Sequence, residues 1–321
     1  RSGLRGRGGT GFPTGRKWES AHSICAAQKY ILCTADEEDA GAFIDRSVLE
    51  ADPHAVIEGL VIGGYAVGAN TGFIYVRPEY TLAVKRLRIA LGEARARGVL
   101  GKNILGSGFS FDIYLREGTG AFGCGEETAL LAVVEGQRGV PRPRSLYSAQ
   151  PPPDSRSTSV NNVKTLAAVP AIIDRGAEWF ANIGTEKNKG TAVLFLSGKI
   201  ANSGLVEVPV GTSLASVIYE IGGGIPKGKR LKAVQTGGPF GNWIPARDID
   251  APVDFKNPAT VASVTGSGGV VVMDEETCMV EAARYFLGLT QAQSCGKCAP
   301  CRLGNKQMLE ILTRITKGKG Q

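Results

Sequence analysis

Tyr30-Ile-Leu-Cys-Thr-Ala35 is a short apolar run closed by four carboxylates, Asp36-Glu37-Glu38-Asp39. An uninterrupted apolar run of this length, bounded by polar residues, predicts a strand buried on both faces, as in a parallel sheet. The carboxylates admit two readings: a solvated turn, or recognition of ligand hydroxyls at the carboxyl edge of such a sheet. Toward the N-terminus, residues Arg16 to Ala27 can form a helix. Toward the C-terminus, Asp52-Pro53 is an N-cap followed by proline at the first helical position, and the helix is expected to run to about Ala69. Thr71 to Val76 is β-rich, Tyr80 to Arg97 is an amphipathic helix stopped by Gly98, and Phe111 to Arg116 reads as a further strand. This alternation predicts an α/β fold with a mostly parallel, Rossmann-like sheet.

The first strand is preceded by Arg1-Ser-Gly-Leu-Arg-Gly-Arg-Gly-Gly-Thr-Gly-Phe-Pro-Thr-Gly-Arg-Lys-Trp18. Gly3, Gly6, Gly8, Gly9, Gly11 and Gly15 are too closely spaced for a helix or strand interior. Such a run lets the backbone lie against a ligand with its N–H groups aimed at an anion. Arg5, Arg7 and Lys17 add positive charge, and Phe12 and Trp18 add flat apolar faces, which suits a nucleotide or a flavin. Neither the P-loop spacing nor a clean strand–GxGxxG–helix is present. A second glycine-rich loop, Gly118 to Thr128, leads into the apolar run Ala129 to Val134. Glu126 and Glu127 there either serve the helix dipole or face a ligand. Arg138-Gly-Val-Pro-Arg-Pro-Arg144 is a cationic strip stiffened by proline. The stretch from Pro151 through Ser159 reads as a loop, and Val160-Asn-Asn-Val163 as the entry to a helix whose asparagines cap it or donate to a phosphate.

From Thr191 the character changes. Ala192 to Leu196, Leu205 to Pro209 and Leu231 to Thr236 read as strands around a short helix from Ser213, a β-rich insert ending near 255. Gly269 to Met273 is again an apolar strand, Glu275 to Leu289 a helix, and Asn305 to Ile315 an amphipathic helix.

The net charge of +7 is dispersed, with no run of five or more Lys or Arg, so nucleic acid is a poor match. No apolar stretch is long enough for a membrane span and no signal peptide is visible. The seven cysteines are an odd number and only two histidines occur, so His-based metal or triad chemistry has little to draw on. Cys295, Cys298 and Cys301 form C-x-x-C-x-x-C, which suits metal ligation in a reducing compartment. Three thiolates on one loop can take three corners of an iron–sulfur cluster, or bind zinc with another ligand. Where the ferredoxin pattern would place a fourth cysteine stands Asn305.

Four blocks occur in one order: Gly3 to Trp18, Cys124-Gly-Glu-Glu-Thr-Ala-Leu130, Val160-Asn-Asn-Val163 and Ser294-Cys-Gly-Lys-Cys-Ala-Pro-Cys-Arg302. Together they closely resemble the NADH-binding flavoprotein subunit of respiratory complex I and the diaphorase subunits of NAD(P)-linked hydrogenases and formate dehydrogenases. The resemblance implies FMN, NAD(H) and one [4Fe–4S] cluster, and hydride transfer from NADH to the flavin. It makes the insert, with Ser197-Gly-Lys and Gly237-Gly-Pro, look like a β-grasp domain. The implied division is an FMN- and NADH-binding α/β domain over 1–185, a β-grasp insert over 190–255, a return to the α/β domain over 256–290, and the start of a helical [4Fe–4S] domain over 291–321.

On the same resemblance, Gly3, Arg5, Gly6, Gly8, Gly9 and Lys17 hold FMN, with Thr34 and Asp36 beside it. Gly125, Glu126 and Glu127 line the flavin face, and Val160, Asn161, Asn162 and Thr165 its phosphate end. Phe12 and Trp18 stack on the adenine of NADH, and Glu37, Asp39, Arg144 and Tyr147 lie on that side. Thr34 stands where the family usually has Asn, and Glu38 where it often has Ser. Cys295, Cys298 and Cys301 ligate the cluster, and the fourth ligand is expected beyond Gln321. The implied partners are iron–sulfur subunits, including a small thioredoxin-like [2Fe–2S] subunit, with no nucleic acid and no direct membrane insertion. The implied location is the cytoplasm or the cytoplasmic face of a membrane complex.

Overall fold

The apolar run at Tyr30 is the inner part of strand β1 (Lys29–Ala35), whose Ile31, Leu32, Cys33 and Ala35 are fully buried. The structure, a computed structural model, describes residues 1–9, 11–37, 43–118, 127–142, 157–239, 241–254 and 268–320. These divide into two compact units. The first comprises Arg1–Glu37, Phe43–Thr119 and Arg144–Ala192, and the second the remainder.

In the first unit, the glycine-rich segment leads into α1 (Thr14–Ser23) and then β1. Next come α2 (Ile44–Ala51), α3 (Pro53–Val67), β2 (Thr71–Val76), α4 (Thr81–Ala96) and β3 (Asp112–Glu117). In the second unit, α5 spans Glu127–Val134. The chain returns to the first with β4 (Ser157–Asn162), α6 (Val163–Arg175) and α7 (Ala177–Ala181). The four strands form one parallel sheet in the order β3-β2-β1-β4. β1 and its successors β2 and β3 build to one side and β4 to the other, so the order reverses between β1 and β4. That is the topological switch point at which open α/β sheets bind ligands.

One face of the sheet, carrying Ile31, Cys33, Ala35, Ile74, Val76 and Ile113, packs against Val56, Ile57 and Leu60 of α3, Leu87 of α4 and Leu166 of α6. The Asp52 side chain caps α3 by accepting from the Ala55 N–H at 3.0 Å, and Gly68 ends it with φ +76°. Gly59 sets how closely α3 and α6 approach: a Cβ there would lie 2.1 Å from the Leu166 carbonyl oxygen. Gly59→Ala must therefore part the two helices, and overpacking of this kind costs about 1–3 kcal/mol. Urea unfolding is expected to show that loss; an unchanged midpoint would mean that the helices are not held at this distance.

The second unit contains β5 (Thr191–Gly198), β6 (Gly204–Pro209), α8 (Leu214–Ser216), β7 (Leu231–Thr236), β8 (Asn242–Pro245) and β9 (Gly269–Asp274). Their sheet runs β6-β5-β9-β7-β8, with β9 parallel to β5 and antiparallel to β7. First and last strands side by side at the centre give the β-grasp arrangement. Helices α9 (Met279–Ala292) and α10 (Asn305–Thr316) follow. The Trp243 ring of β8 meets Phe286 of α9 edge-on at 5.6 Å, which seats that helix on the sheet.

Two expectations are corrected, and one element was not foreseen. Ser157–Asn162 is a strand rather than a loop: Asn161 and Asn162 are paired with Cys33 and Thr34 of β1, which the polar Ser-Thr-Ser sequence hides. β9 lies in the β-grasp sheet rather than returning to the first domain, because its hydrogen-bonding partners are β5 and β7. α2 is not anticipated, since its N-cap position is Phe43 and the capping group comes from elsewhere.

Candidate functional site

The glycine-rich segment doubles back on itself at the carboxyl edge of the sheet. The Gly6 N–H donates to the Phe12 carbonyl and the Thr14 N–H to the Leu4 carbonyl, both at 2.9 Å. Leu4 is buried with Val169, Ile172 and Phe180, which anchors the loop to α6 and α7. The Arg7 N–H donates to Thr165 Oγ1 at 2.9 Å, and the Arg7 guanidinium to the carbonyls of Arg5 (3.1 Å) and Lys189 (2.7 Å). Arg7 is only 6% exposed. Burial, with Arg5 nearby, lowers its pKa to about 10, so it remains a cation at neutral pH.

The loop rests on the end of β4. A Cβ at Gly8 would lie 2.9 Å from Asn162 Cβ, and one at Gly3 2.7 Å from Lys189 Cγ. At Gly6 the nearest atom would be the Phe12 oxygen at 3.6 Å. Gly9 has φ +136°, and among the described residues, its chain neighbours aside, no atom lies within 4 Å of where a Cβ would stand. That is the space a ligand's approach to the backbone requires. Phe12 is 52% exposed. Lys17 lies half-buried in the first turns of α1.

Trp18 is tied into the fold. Its Nε1–H donates to Asn161 Oδ1 at 2.9 Å, and its ring packs against both apolar clusters of the unit. The indole is half-buried, and Phe12 is the more exposed ring of the pair. Asn162 is also engaged: its Nδ2–H donates to Asp45 Oδ2 at 2.6 Å, and its Oδ1 accepts from the Lys164 N–H at 3.0 Å, capping α6. Val160 and half-buried Thr34 lie on β4 and β1, where Thr34 pairs with Asn162.

Two of the four carboxylates after β1 are turned inward. Asp36 forms an ion pair with Arg77, the two side chains 1% and 12% exposed. Burial raises the Asp36 pKa, and Arg77 opposes that. Asp36 Oδ2 and Arg77 Nη2 are buried without a hydrogen-bond partner among the described residues. Glu37 caps α2 across the intervening residues, accepting from the Ile44 N–H at 2.7 Å and the Arg46 N–H at 3.3 Å. It is therefore spent on a helix terminus rather than free for a ribose. Asp45, Lys164 and Arg77 belong to this buried polar edge and were not singled out from the sequence as site residues; only their burial identifies them.

Burial, then the charge of Asp45, raises the Glu37 pKa from 4.5 to about 7. A carboxyl whose folded pKa exceeds its unfolded value binds more protons in the native state between the two values. Stability is thus expected to fall as pH rises from 4.5 to 7 and to level off above 7. Glu37→Gln should flatten that slope in urea-unfolding free energies measured across the window. An identical pH dependence in the variant would show that Glu37 does not titrate there.

In the second unit, Glu127 is the acidic residue of the first turn of α5. Gly125, Glu126, Asp39, Arg144 and Tyr147 lie outside the described residues. The cysteine loop precedes α10. Cys298 is exposed, and Cys295 and Cys301 are half-buried. Cys301 Sγ lies 3.1 Å from Ser294 Oγ and accepts from Asn305 Nδ2 at 3.4 Å, so Asn305 serves the thiol as a donor. Arg138 reaches the Cys295 carbonyl at 3.2 Å, and Lys297 the Pro141 carbonyl, which ties the cationic strip to the loop. Among the described residues the thiols are not gathered into a metal-holding group. Their chemistry fits an anionic cluster, with three thiolates, donors to sulfur and a cationic surround.

The glycine loop and α/β edge also fit a flavin mononucleotide. The loop offers open space over Gly9 and a buried cation at Arg7, and the edge leaves Asp36 and Arg77 polar atoms unanswered among the described residues.

Comparison with known proteins agrees. Residues 1–171 match the Nuo51 FMN-binding domain, and residues 281–321 the NADH-ubiquinone oxidoreductase-F iron–sulfur binding region. The chain is 57% identical over 320 residues to the NADP-reducing hydrogenase subunit HndC of Solidesulfovibrio fructosivorans, covering all of this chain and 65% of that protein. It is 43% identical to the second F subunit of NADH-quinone oxidoreductase of Rhizobium meliloti, with 100% of this chain and 76% of the relative covered. An air-oxidized NAD+-reducing [NiFe]-hydrogenase superposes with TM-score 0.85 at 32% identity, over 99% of this chain and 53% of that one. No helix among the described residues is long and apolar enough to cross a membrane.

Proposed function

The chain belongs to the family of NADH-quinone oxidoreductase F subunits, with their Nuo51 FMN-binding domain and iron–sulfur binding region, and from that premise we propose that it takes reducing equivalents from a nicotinamide dinucleotide and delivers them singly to partner subunits. The observation that carries this reading is the seating of the glycine loop on the carboxyl end of β4, the strand beside β1 at the reversal of strand order. When bound, FMN accepts a hydride and releases electrons one at a time, and the cluster carries them singly. The chain's own residues bind and orient. Arg7 and Lys17 supply positive charge where a phosphate needs it, and the backbone at Gly8 and Gly9 approaches the ligand. Asp36 and Arg77 offer an acceptor and a donor at the sheet edge. Phe12 offers its exposed ring to the dinucleotide, and Cys295, Cys298 and Cys301 hold the cluster.

The division of labour follows the proposed domains: flavin and dinucleotide over 1–185, a β-grasp insert over 190–255 joined by β9, and the start of the cluster domain over 291–321. The proposed partners are iron–sulfur subunits, among them a small thioredoxin-like [2Fe–2S] protein. Attachment to the cytoplasmic face of a membrane complex would be through such partners.

A second reading differs in the nucleotide. Glu37, one of the acidic groups expected to repel a 2′-phosphate, is withdrawn into the α2 cap, and one relative is named for NADP reduction. Steady-state ferricyanide reduction with NADH and NADPH decides between them. Higher kcat/KM with NADH is expected; equal or higher kcat/KM with NADPH selects the second reading, and no reduction with either removes both.

A further inference from the structure

The buried network beneath the glycine loop is more elaborate than capping a helix requires. Asp45 of α2 is 2% exposed and Lys164 of α6 is 7% exposed, and they pair at 2.9 Å. The other Asp45 oxygen accepts from the Asn162 amide at 2.6 Å, while the Asn162 carbonyl oxygen accepts from the Lys164 N–H at 3.0 Å. Both ends of the Asn162 amide are thus fixed, and its rotamer with them. Gly8 rests on the Asn162 side chain: a Gly8 Cβ would stand 2.9 Å from its Cβ, which the backbone fixes, and 3.4 Å and 3.5 Å from its Cγ and Nδ2, which move with the rotamer. Next along the chain, Arg7 is anchored three residues further into α6, on Thr165. Because the loop touches the β4–α6 junction at both points, a turn of the Asn162 side chain would move its seat.

We propose that Asp45 is a positioning residue for flavin binding: through its hydrogen bond it locks Asn162 in the rotamer that seats the Gly8–Gly9 segment, while Lys164 balances its charge. The inference rests on the reading that this loop binds FMN. It predicts that the hydrogen bond to Asn162, rather than the ion pair as such, governs flavin affinity. Burying either charge without the other is costly whatever its role, so a single substitution cannot separate the two. Two neutral pairs do.

In Asp45→Asn/Lys164→Met the asparagine carbonyl still accepts from Asn162. In Asp45→Ala/Lys164→Met nothing does, and a buried amide N–H is left unanswered. Flavin-free protein is titrated with FMN, following quenching of flavin fluorescence, and each variant is also melted without FMN. The Asn/Met variant is expected to bind within about threefold of wild type. The Ala/Met variant is expected to bind about tenfold or more weakly, the loss that one unmet buried hydrogen bond produces. Its melt in the absence of FMN should remain cooperative.

Equal affinity of the two folded double variants would overturn the proposal, since charge balance or stability alone would then explain both. Weak binding by a folded Asn/Met variant would overturn it too. If the Ala/Met variant does not fold, Asp45→Ser/Lys164→Met replaces it; its hydroxyl is too short to span to Asn162, so the same loss is expected and wild-type affinity would again overturn the proposal. Wild-type protein that binds no FMN would instead refute the function on which the inference stands.

Discussion

A Gly9→Val protein is expected to purify folded but without flavin, its affinity for FMN lowered by at least about 100-fold. Gly9 is the informative position in the loop because, among the described residues and its chain neighbours aside, no atom lies within 4 Å of where a Cβ would stand. A Cβ there meets no other described residue, yet it fills the space over the backbone that a bound ligand would use. The φ of +136° adds strain for any L side chain, confined to an outer loop pinned before Gly9 by Leu4 and Arg7 and after it by the Gly6–Phe12 and Thr14–Leu4 backbone hydrogen bonds. Gly8→Val should also lose FMN, but for a mixed reason, since its side chain strikes Asn162 and lifts the loop from its seat. The check is flavin released per chain, beside the circular dichroism melt. Stoichiometric flavin in a folded Gly9→Val protein would remove the loop from the site.

Alanine at Cys295, Cys298 or Cys301 should have the second large effect. Each substitution deletes one of three thiolates on a single loop, and a [4Fe–4S] centre needs four ligands. Iron is expected to fall from about four per chain to below about one, with flavin content unchanged because the loop and the glycine segment belong to different units. Cys301 has the most elaborate surroundings, with Ser294 and Asn305 both at its sulfur. Iron and acid-labile sulfide analysis checks this. Full iron in all three variants would mean that the cluster is held elsewhere, and zinc in place of iron would restore the structural-metal reading of the motif.

The parallel sheet was legible because its strands announce themselves one by one. Tyr30–Ala35 and Thr71–Val76 are apolar and β-branched, and Asp52-Pro53 starts α3 where local capping chemistry says it should. β4 was not legible. Ser157, Thr158 and Ser159 carry no strand signal of their own, and the segment is a strand because β1 offers it a partner. α2 escaped for a related reason: its cap is Glu37, reached through space. The same non-locality governs the site. The glycine segment could be identified from composition alone, but its position over Asn162 and the hydrogen bond of Trp18 to Asn161 depend on residues far away in sequence, and the inward turn of Glu37 on a helix seven residues on. Asp45 and Lys164 are ordinary charged residues in the sequence and become distinctive only as a buried pair.

The central claim is that this chain brings a nicotinamide dinucleotide to a flavin held at the β1–β4 switch point. Anaerobic titration of the purified, flavin-loaded protein with NADH, followed through the flavin absorption band, tests it most directly. The account predicts prompt bleaching of the band, and no bleaching in Gly9→Val protein mixed with the same amount of FMN. A band that persists under excess NADH and excess NADPH would contradict it.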